Sequence, residues 1–212
     1  ADKYIDGYDD APNGAILFGG GASDWYRVDL GNFSPVQLGT SGEMTVAFWA
    51  YWNGNTGSWQ DIINKRDTWS SDGMVWGINQ HSVTGSKLSI RQPTSEADSK
   101  VGIPEGEWTH VAVATNGSQA YFYINGELKD TKQYTYGTKY DSEIHMGTSP
   151  NGAVDAYNGA LDEVHFYSKV LTEEELRVVM SQGKPIPLFN YSPSVVTVGD
   201  TVHLDASASF DS

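Results

Sequence analysis

Two alternating runs, Trp108-Thr-His-Val-Ala-Val-Ala114 and Gln119-Ala-Tyr-Phe-Tyr-Ile124, flank Asn116-Gly117, and a second Asn-Gly pair follows at Asn125-Gly126. Side chains alternate across a strand, so Val111, Val113, Phe122 and Ile124 belong to an apolar face. His110, Ala112, Tyr121 and Tyr123 fall on the opposite one. Asn-Gly tolerates the positive φ of a type I′ turn, which makes both runs hairpin strands. Working outward, the same period recurs in Ala15-Ile-Leu-Phe18, Met44-Thr-Val-Ala-Phe-Trp49, Gly73-Met-Val-Trp-Gly-Ile-Asn79 and Lys87-Leu-Ser-Ile-Arg91. Asn13-Gly14, Asn53-Gly54, Asn151-Gly152 and Asn158-Gly159 add turn signals between runs. The pattern is all-β, a two-sheet antiparallel sandwich or jelly roll. One short helix interrupts it. Thr172 and Glu175 form a capping box, Glu173 and Glu174 suit the helix N-terminus, and Leu176, Val179 and Met180 make an apolar stripe. Gly183 and Pro185 stop it.

The chain has 212 residues, enough for one full domain plus a fragment. Aromatic residues make up 12%, including 7 Trp, which suffices to fill a core. Asp and Glu number 27 against 13 Lys and Arg, a net charge of -14 that opposes nucleic-acid binding. No apolar run approaches a membrane span. With 0 Cys there is neither a disulfide nor a thiolate-held metal. The opening Ala1-Asp2-Lys3 lacks the charged and apolar regions of a signal peptide, so such a segment is expected to have been removed or never included. Residues 1–184 read as the main domain. From Pro185 the chain turns Pro-rich, and Val195-Val-Thr-Val-Gly-Asp-Thr-Val-His-Leu-Asp205 suggests two strands around a Gly-Asp turn. Residues 185–212 are too few to bury a core of their own.

Three stretches carry a resemblance over about residues 13–184. They are Ala15-Ile-Leu-Phe-Gly-Gly-Gly-Ala-Ser-Asp-Trp-Tyr-Arg-Val28, Glu107-Trp-Thr-His-Val-Ala-Val113 with Tyr121-Phe-Tyr-Ile-Asn-Gly126, and Asn158-Gly-Ala-Leu-Asp-Glu-Val-His-Phe-Tyr167 with Leu171-Thr-Glu-Glu-Glu-Leu176. In this order they resemble the laminin-G-like, concanavalin A-type jelly rolls of secreted bacterial-type polysaccharidases and adhesins. The tail, with Val-Gly-Asp-Thr-Val-His-Leu-Asp-Ala-Ser, resembles the first third of a polycystic-kidney-disease-type (PKD) Ig-like spacer. The resemblance implies a secreted or cell-surface module within a larger chain, monomeric and without membrane insertion.

It also implies a structural calcium joining the N-terminal loop to the C-terminal strand. The matching positions are Asp24, the Gly19 carbonyl and Asp162, with Asp9 or Asp10 as a further oxygen donor. Phe18-Gly19-Gly20 stands where the family often has Phe-Asp-Gly, so one side-chain ligand is missing. Calcium prefers oxygen ligands, and two carboxylates brought together would repel without a cation.

Catalytic signatures are missing from the sequence. Glycosidases need two carboxyls across a cleft, and no strand carries a Glu-x-Asp-x-x-Glu run. There is no Gly-x-Ser-x-Gly elbow and no His-Glu-x-x-His pair, so no catalytic residue is assigned. Ligand-binding candidates are instead the polar and aromatic positions opposite the core: Asn79, Arg91, His110, Tyr121 and Tyr123. The stretch Lys65-Arg-Asp-Thr-Trp-Ser-Ser-Asp72 reads as a loop that adds Arg66 and an exposed Trp69. Trp59 and Tyr140 fall in other polar loops, while Trp49, Trp76 and Trp108 are expected in the core. Between Lys65 and Lys100 the bases Lys65, Arg66, Lys87, Arg91 and Lys100 outnumber the acids Asp67, Asp72, Glu96 and Asp98. These residue types suit an acidic or neutral polysaccharide, because rings stack on pyranoses while Arg, Asn and His bond hydroxyls. The expected function is a non-catalytic carbohydrate-binding module of a polysaccharide-degrading enzyme. The alternative is an adhesion or spacer domain of a large cell-surface protein.

Overall fold

The computed structural model describes residues 3–20, 26–32, 42–81, 85–150, 155–181, 190–192 and 203–205. The strands in chain order begin with β1 (Tyr4–Ile5), β2 (Ala15–Gly19), β3 (Val28–Gly31), β4 (Met44–Trp52) and β5 (Trp59–Arg66). Next come β6 (Met74–His81), β7 (Lys87–Gln92), β8 (Ser95–Asp98), β9 (Trp108–Thr115) and β10 (Gln119–Ile124). The main body closes with β11 (Glu127–Gln133), β12 (Ile144–Met146), β13 (Asn158–Tyr167) and helix α1 (Glu173–Met180). β14 (Asn190–Ser192) and β15 (His203–Asp205) pair antiparallel as a separate two-stranded sheet. The first strand and the Gly-Asp turn expected within 195–205 lie outside the described residues.

A seven-stranded sheet, β1-β2-β13-β4-β9-β10-β11, faces a six-stranded one, β3-β12-β5-β6-β7-β8. This is the expected all-β sandwich with one short helix. The core lies between the sheets. Phe48, Val46, Val111, Val113 and Phe122 from the first meet Ile63, Trp76, Ile78, Leu88 and Ile90 from the second. Burying each such side chain contributes about 1.5–3 kcal/mol. Trp76 is in this core as expected. Trp49 and Trp108 are not: both stand on the outer face of the seven-stranded sheet. There Tyr8 stacks flat on Trp49 at 4.3 Å, and Tyr51 meets Trp108 edge-on at 5.6 Å.

The two Asn-Gly turns differ. Asn125 and Gly126 have φ of 51° and 76° between paired Ile124 and Glu127, the expected two-residue hairpin. At Asn116-Gly117 the last paired residues are Thr115 and Ala120, so the connection is longer. Its Asn116 side chain accepts hydrogen bonds from the Ser118 and Gln119 N–H groups. That closes the turn through a side chain. The helix begins as read, with Thr172 Oγ1 accepting from Glu175 N–H and the Glu175 carboxylate accepting from Thr172 N–H. Leu176 and Val179 pack with Leu171 on Ala47, Ala112, Ala114 and Tyr123 of the outer face.

Lys65 is fully buried, and its ammonium donates to Asn32 Oδ1 and, more closely, to the Ser142 carbonyl at 2.5 Å. It thereby ties β5 to two loops. Edge strands are short or charged. β1, β3 and β8 have 2, 4 and 4 residues, and β11 carries Lys129–Glu127 and Lys132–Asp130 ion pairs.

Gly147 follows β12 with φ 86°, and a Cβ there would lie 2.0 Å from the Phe18 ring. Gly147→Ala should therefore destabilise the domain by about 2 kcal/mol or more, read by chemical denaturation, because the strained backbone and the overpacked ring add.

Candidate functional site

The site grows from an irregularity in β5. Asp61 pairs with Asn79 and Ile63 with Ile78, so Ile62 is an extra residue in the strand. A β-bulge of this kind re-aims the side chains beyond it. Ile62 and Ile63 both enter the core. Asp61 and Asn64, three positions apart, then share the outer face of the six-stranded sheet. Two rungs of paired residues cross that face. One runs Asp61, Asn79, Ser89, Asp98, and the other His145, Asn64, Gly77, Arg91, Glu96.

This face is polar yet closed from solvent. Asp61, Asn64, Arg66, Asn79, Ser89, Arg91 and His145 are all buried. Asp61 anchors them: Arg66 Nη2 donates to its Oδ2 at 2.6 Å, and Asn79 Nδ2 donates to its Oδ1. Burial pushes the Asp61 carboxyl up to about 6, against the pull of the Arg66 and Arg91 guanidiniums. Arg91 lies between two indoles, its guanidinium carbon 3.5 Å from the Trp59 ring centroid and 4.2 Å from that of Trp69. Arg66 approaches the same Trp69 ring at 5.5 Å. Cation–π contacts this close are worth about 0.5–2 kcal/mol each. Trp69 remains 44% exposed. At the far end of the second rung, Asp29 receives His145 at 2.7 Å and Arg27 at 2.5 Å. The Arg27 hydrogen bond holds the Asp29 carboxyl below its ordinary range.

Six buried polar atoms of this face have no hydrogen-bond partner among the described residues: Asn64 Oδ1, Arg66 Nε, Asn79 Oδ1, Ser89 Oγ, Arg91 Nε and Asp98 Oδ1. A buried unsatisfied polar group costs about 1–3 kcal/mol, and native proteins keep few of them. Six of the ten buried side-chain polar atoms without a hydrogen-bond partner among the described residues thus lie on this one sheet face.

Of the sequence-predicted ligand residues, the structure brings Arg66, Trp69, Asn79 and Arg91 together. Lys65 and Arg66 belong to strand β5 rather than a loop, and Trp59, also expected in a loop, opens that strand and stacks on Arg91. His110, Tyr121 and Tyr123 lie on the other sheet. Tyr123 is covered by α1, and Tyr121 is half-buried, its hydroxyl bonded by Asn116 and Gln119. His110 is buried edge-on against Trp49 at 5.5 Å. These three do not join the Trp69 group, because alternation assigns a face without revealing what covers it. Tyr140 is exposed on its loop, as expected. Asp61, Asn64 and Ser89 were missed as site residues; Asp61 and Asn64 gave no signal because the bulge breaks their period.

The calcium ligands assemble only in part. Gly19 pairs with Asn158, four residues along β13 from Asp162, about 13 Å at strand spacing. One ion cannot bridge that gap, so Gly19 is not a co-ligand of Asp162. Asp24 lies outside the described residues. Among the described residues no group of three or more His, Asp or Glu side chains is placed to hold a metal. Asp162 and Asp9 instead converge on Gly7. A Cβ on Gly7 would lie 2.5 Å from Asp162 Oδ2 and 3.1 Å from Asp9 Oδ1, so only glycine lets the two carboxylates come this near each other. Burial raises the Asp162 carboxyl despite hydrogen bonds from the Tyr8 and Glu163 N–H groups, and the Asp9 charge adds to the rise.

Burial lowers the His110 imidazole to about 4. A depressed value means stability present above pH 6.5 and lost as pH falls toward 4. The raised Asp61 works the other way over the same interval, its ionisation costing stability as pH rises from about 4 to 6. Urea denaturation at pH 7 and 4.5 should separate them. Relative to His110→Gln, the native chain should lose about 2–3 kcal/mol between those values. An equal change in both chains would show that His110 does not titrate on unfolding.

A family profile described as the concanavalin A-like lectin/glucanases superfamily matches residues 20–177. Sequence comparison with curated proteins gives no match. Among solved structures, domain 4 of AbnA, an extracellular arabinanase of Geobacillus stearothermophilus in complex with arabinotriose, superposes with TM-score 0.59 at 19% identity. The match covers 78% of this chain and 75% of that one. A SAP-like pentraxin from Limulus polyphemus gives TM-score 0.50 at 15% identity over 77% and 80% of the two chains. A botulinum neurotoxin type C structure, whose cell entry depends on two ganglioside molecules, gives 0.55 at 17% over 78% and 42%. At these identities the likeness is one of fold. No helix among the described residues is long and apolar enough to cross a membrane.

Proposed function

Because this chain belongs to the concanavalin A-like lectin/glucanases superfamily and is a lectin-like jelly-roll domain, we propose that it binds carbohydrate through the outer face of its six-stranded sheet. The observation that carries this is the set of six unpartnered polar atoms beside the Trp59–Arg91–Trp69 stack. Sugar hydroxyls both donate and accept, so they can complete such a mixed set. An indole meanwhile packs on the apolar face of a pyranose. Trp69 is the platform: it covers Arg91, which fixes its orientation, and stays 44% exposed. Arg66, Asn79 and Arg91 supply polar contacts. The arabinotriose complex of the similarly folded arabinanase domain supports the same reading.

The wider setting is proposed as a secreted multidomain protein, with the domain delivering an attached enzyme to its polysaccharide. Residues 1–184 are the binding domain and residues 185–212 open a PKD-type spacer. The antiparallel pairing of Asn190–Ser192 with His203–Asp205 supports a β tail.

Trp69→Ala should weaken retention in polysaccharide affinity gels at least tenfold, a loss of about 2 kcal/mol, while Trp69→Phe should restore part of it. Unchanged retention in both variants sinks the assignment and leaves adhesion or spacing as the better account.

A structural calcium is proposed at Asp162 with Asp9, and with Asp24. An ion bound only by the native state would raise the thermal midpoint, by about 2.7 kcal/mol of stability at a hundredfold excess over its dissociation constant. Asp162→Asn should remove that gain. Identical melting in EGTA and in calcium rejects the site.

A further inference from the structure

The bonding needs of this face also select among carbohydrates, and, resting on the binding role proposed above, we infer that its ligand is an uncharged, hydroxyl-rich saccharide rather than a uronate or a sulfated glycan. Four of the six unpartnered atoms can accept, and three of those only accept. Asn64 Oδ1, Asn79 Oδ1 and Asp98 Oδ1 only accept, Ser89 Oγ does both, and only Arg66 Nε and Arg91 Nε donate. The amide orientations follow from their other ends: Asn64 Nδ2 donates to the Thr148 carbonyl and Asn79 Nδ2 to Asp61. A uronate or sulfated sugar keeps its other hydroxyls, but its charged group offers acceptors alone and has no proton to share with the three acceptors. A hydroxyl supplies both.

Charge points the same way. The surplus of bases in this stretch of sequence is consumed locally. Arg66 is held by the Asp61 carboxylate at 2.6 Å. Arg91 is closed between two rings and feels Asp61, Glu96 and Asp155 as its neighbouring acids. Against two guanidiniums the site therefore sets Asp61, Glu96, Asp98 and Asp155, inside a protein of net charge -14. An anionic sugar approaches a field of its own sign.

The test is a glycan array carrying matched pairs, among them galactan and sulfated galactan, and methyl-esterified and free oligogalacturonate. Neutral members should bind at least tenfold more tightly at low salt. The gap should narrow as sodium chloride rises to about 0.5 M, where charges a Debye length apart are screened. Equal or tighter binding of the charged members overturns this inference while leaving the carbohydrate-binding role standing. A neutral preference that salt does not narrow overturns its electrostatic basis. Failure of every member to bind overturns both.

Discussion

One inserted residue in β5 governs the outer face of the six-stranded sheet. Without the bulge at Ile62, Asp61 and Asn64 would point in opposite directions, and one of them would enter the apolar core. With it, two isoleucines fill the core side by side and both polar groups face outward. Asp61 then stands where Arg66, Asn79 and Arg91 converge. Each depends on it for charge or for a hydrogen-bond acceptor. Breaking a buried ion pair from one side strands a charge, at a cost of about 3–5 kcal/mol. The bulge is therefore an obligatory part of the site rather than a local irregularity.

The two sheets divide the work. The outer face of the seven-stranded sheet is spent on structure: α1 covers Tyr123 and the alanines, and the N-terminal segment lays Tyr8 on Trp49. The corresponding face of the six-stranded sheet has polar side chains in place of such a cover. Its closure comes from the stack of Trp59, Arg91 and Trp69, made of groups that can also meet a ligand. A sandwich needs both inner faces for its core, and here α1 and the N-terminal segment cover one of the two outer faces.

Much of this was legible in the sequence, for identifiable reasons. Strict alternation in β7, β9 and β10 gave the correct core positions, in β6 it gave Trp76 and Ile78 but missed Val75 beside an irregularity, and the Thr172–Glu175 box placed the helix. Arg66, Trp69, Asn79 and Arg91 were found because they alternate with core residues or follow them closely. β5 was not legible. Gln60-Asp-Ile-Ile-Asn64 breaks the two-residue period at the bulge, so the strand carrying the anchoring carboxylate gave no alternating run. His110 and Tyr123 were placed on the right face, but the cover over them comes from residues distant in sequence. The Gly19–Asp162 pairing failed for a related reason: strand register, which a motif does not encode, separates the two by four residues.

The edges of the two sheets bear on how such domains behave when many are held close together. Three of them are strands of 2, 4 and 4 residues, and the fourth, β11, alternates Glu127, Lys129, Asp130 and Lys132. A neighbour adding itself to β11 would have to strip water from charges already paired along the strand, and the short edges offer too few backbone groups to reward docking. Copies crowded together can therefore pack shoulder to shoulder without merging their sheets. A dense coating of them should stay dispersed and reversible instead of setting into an aggregate.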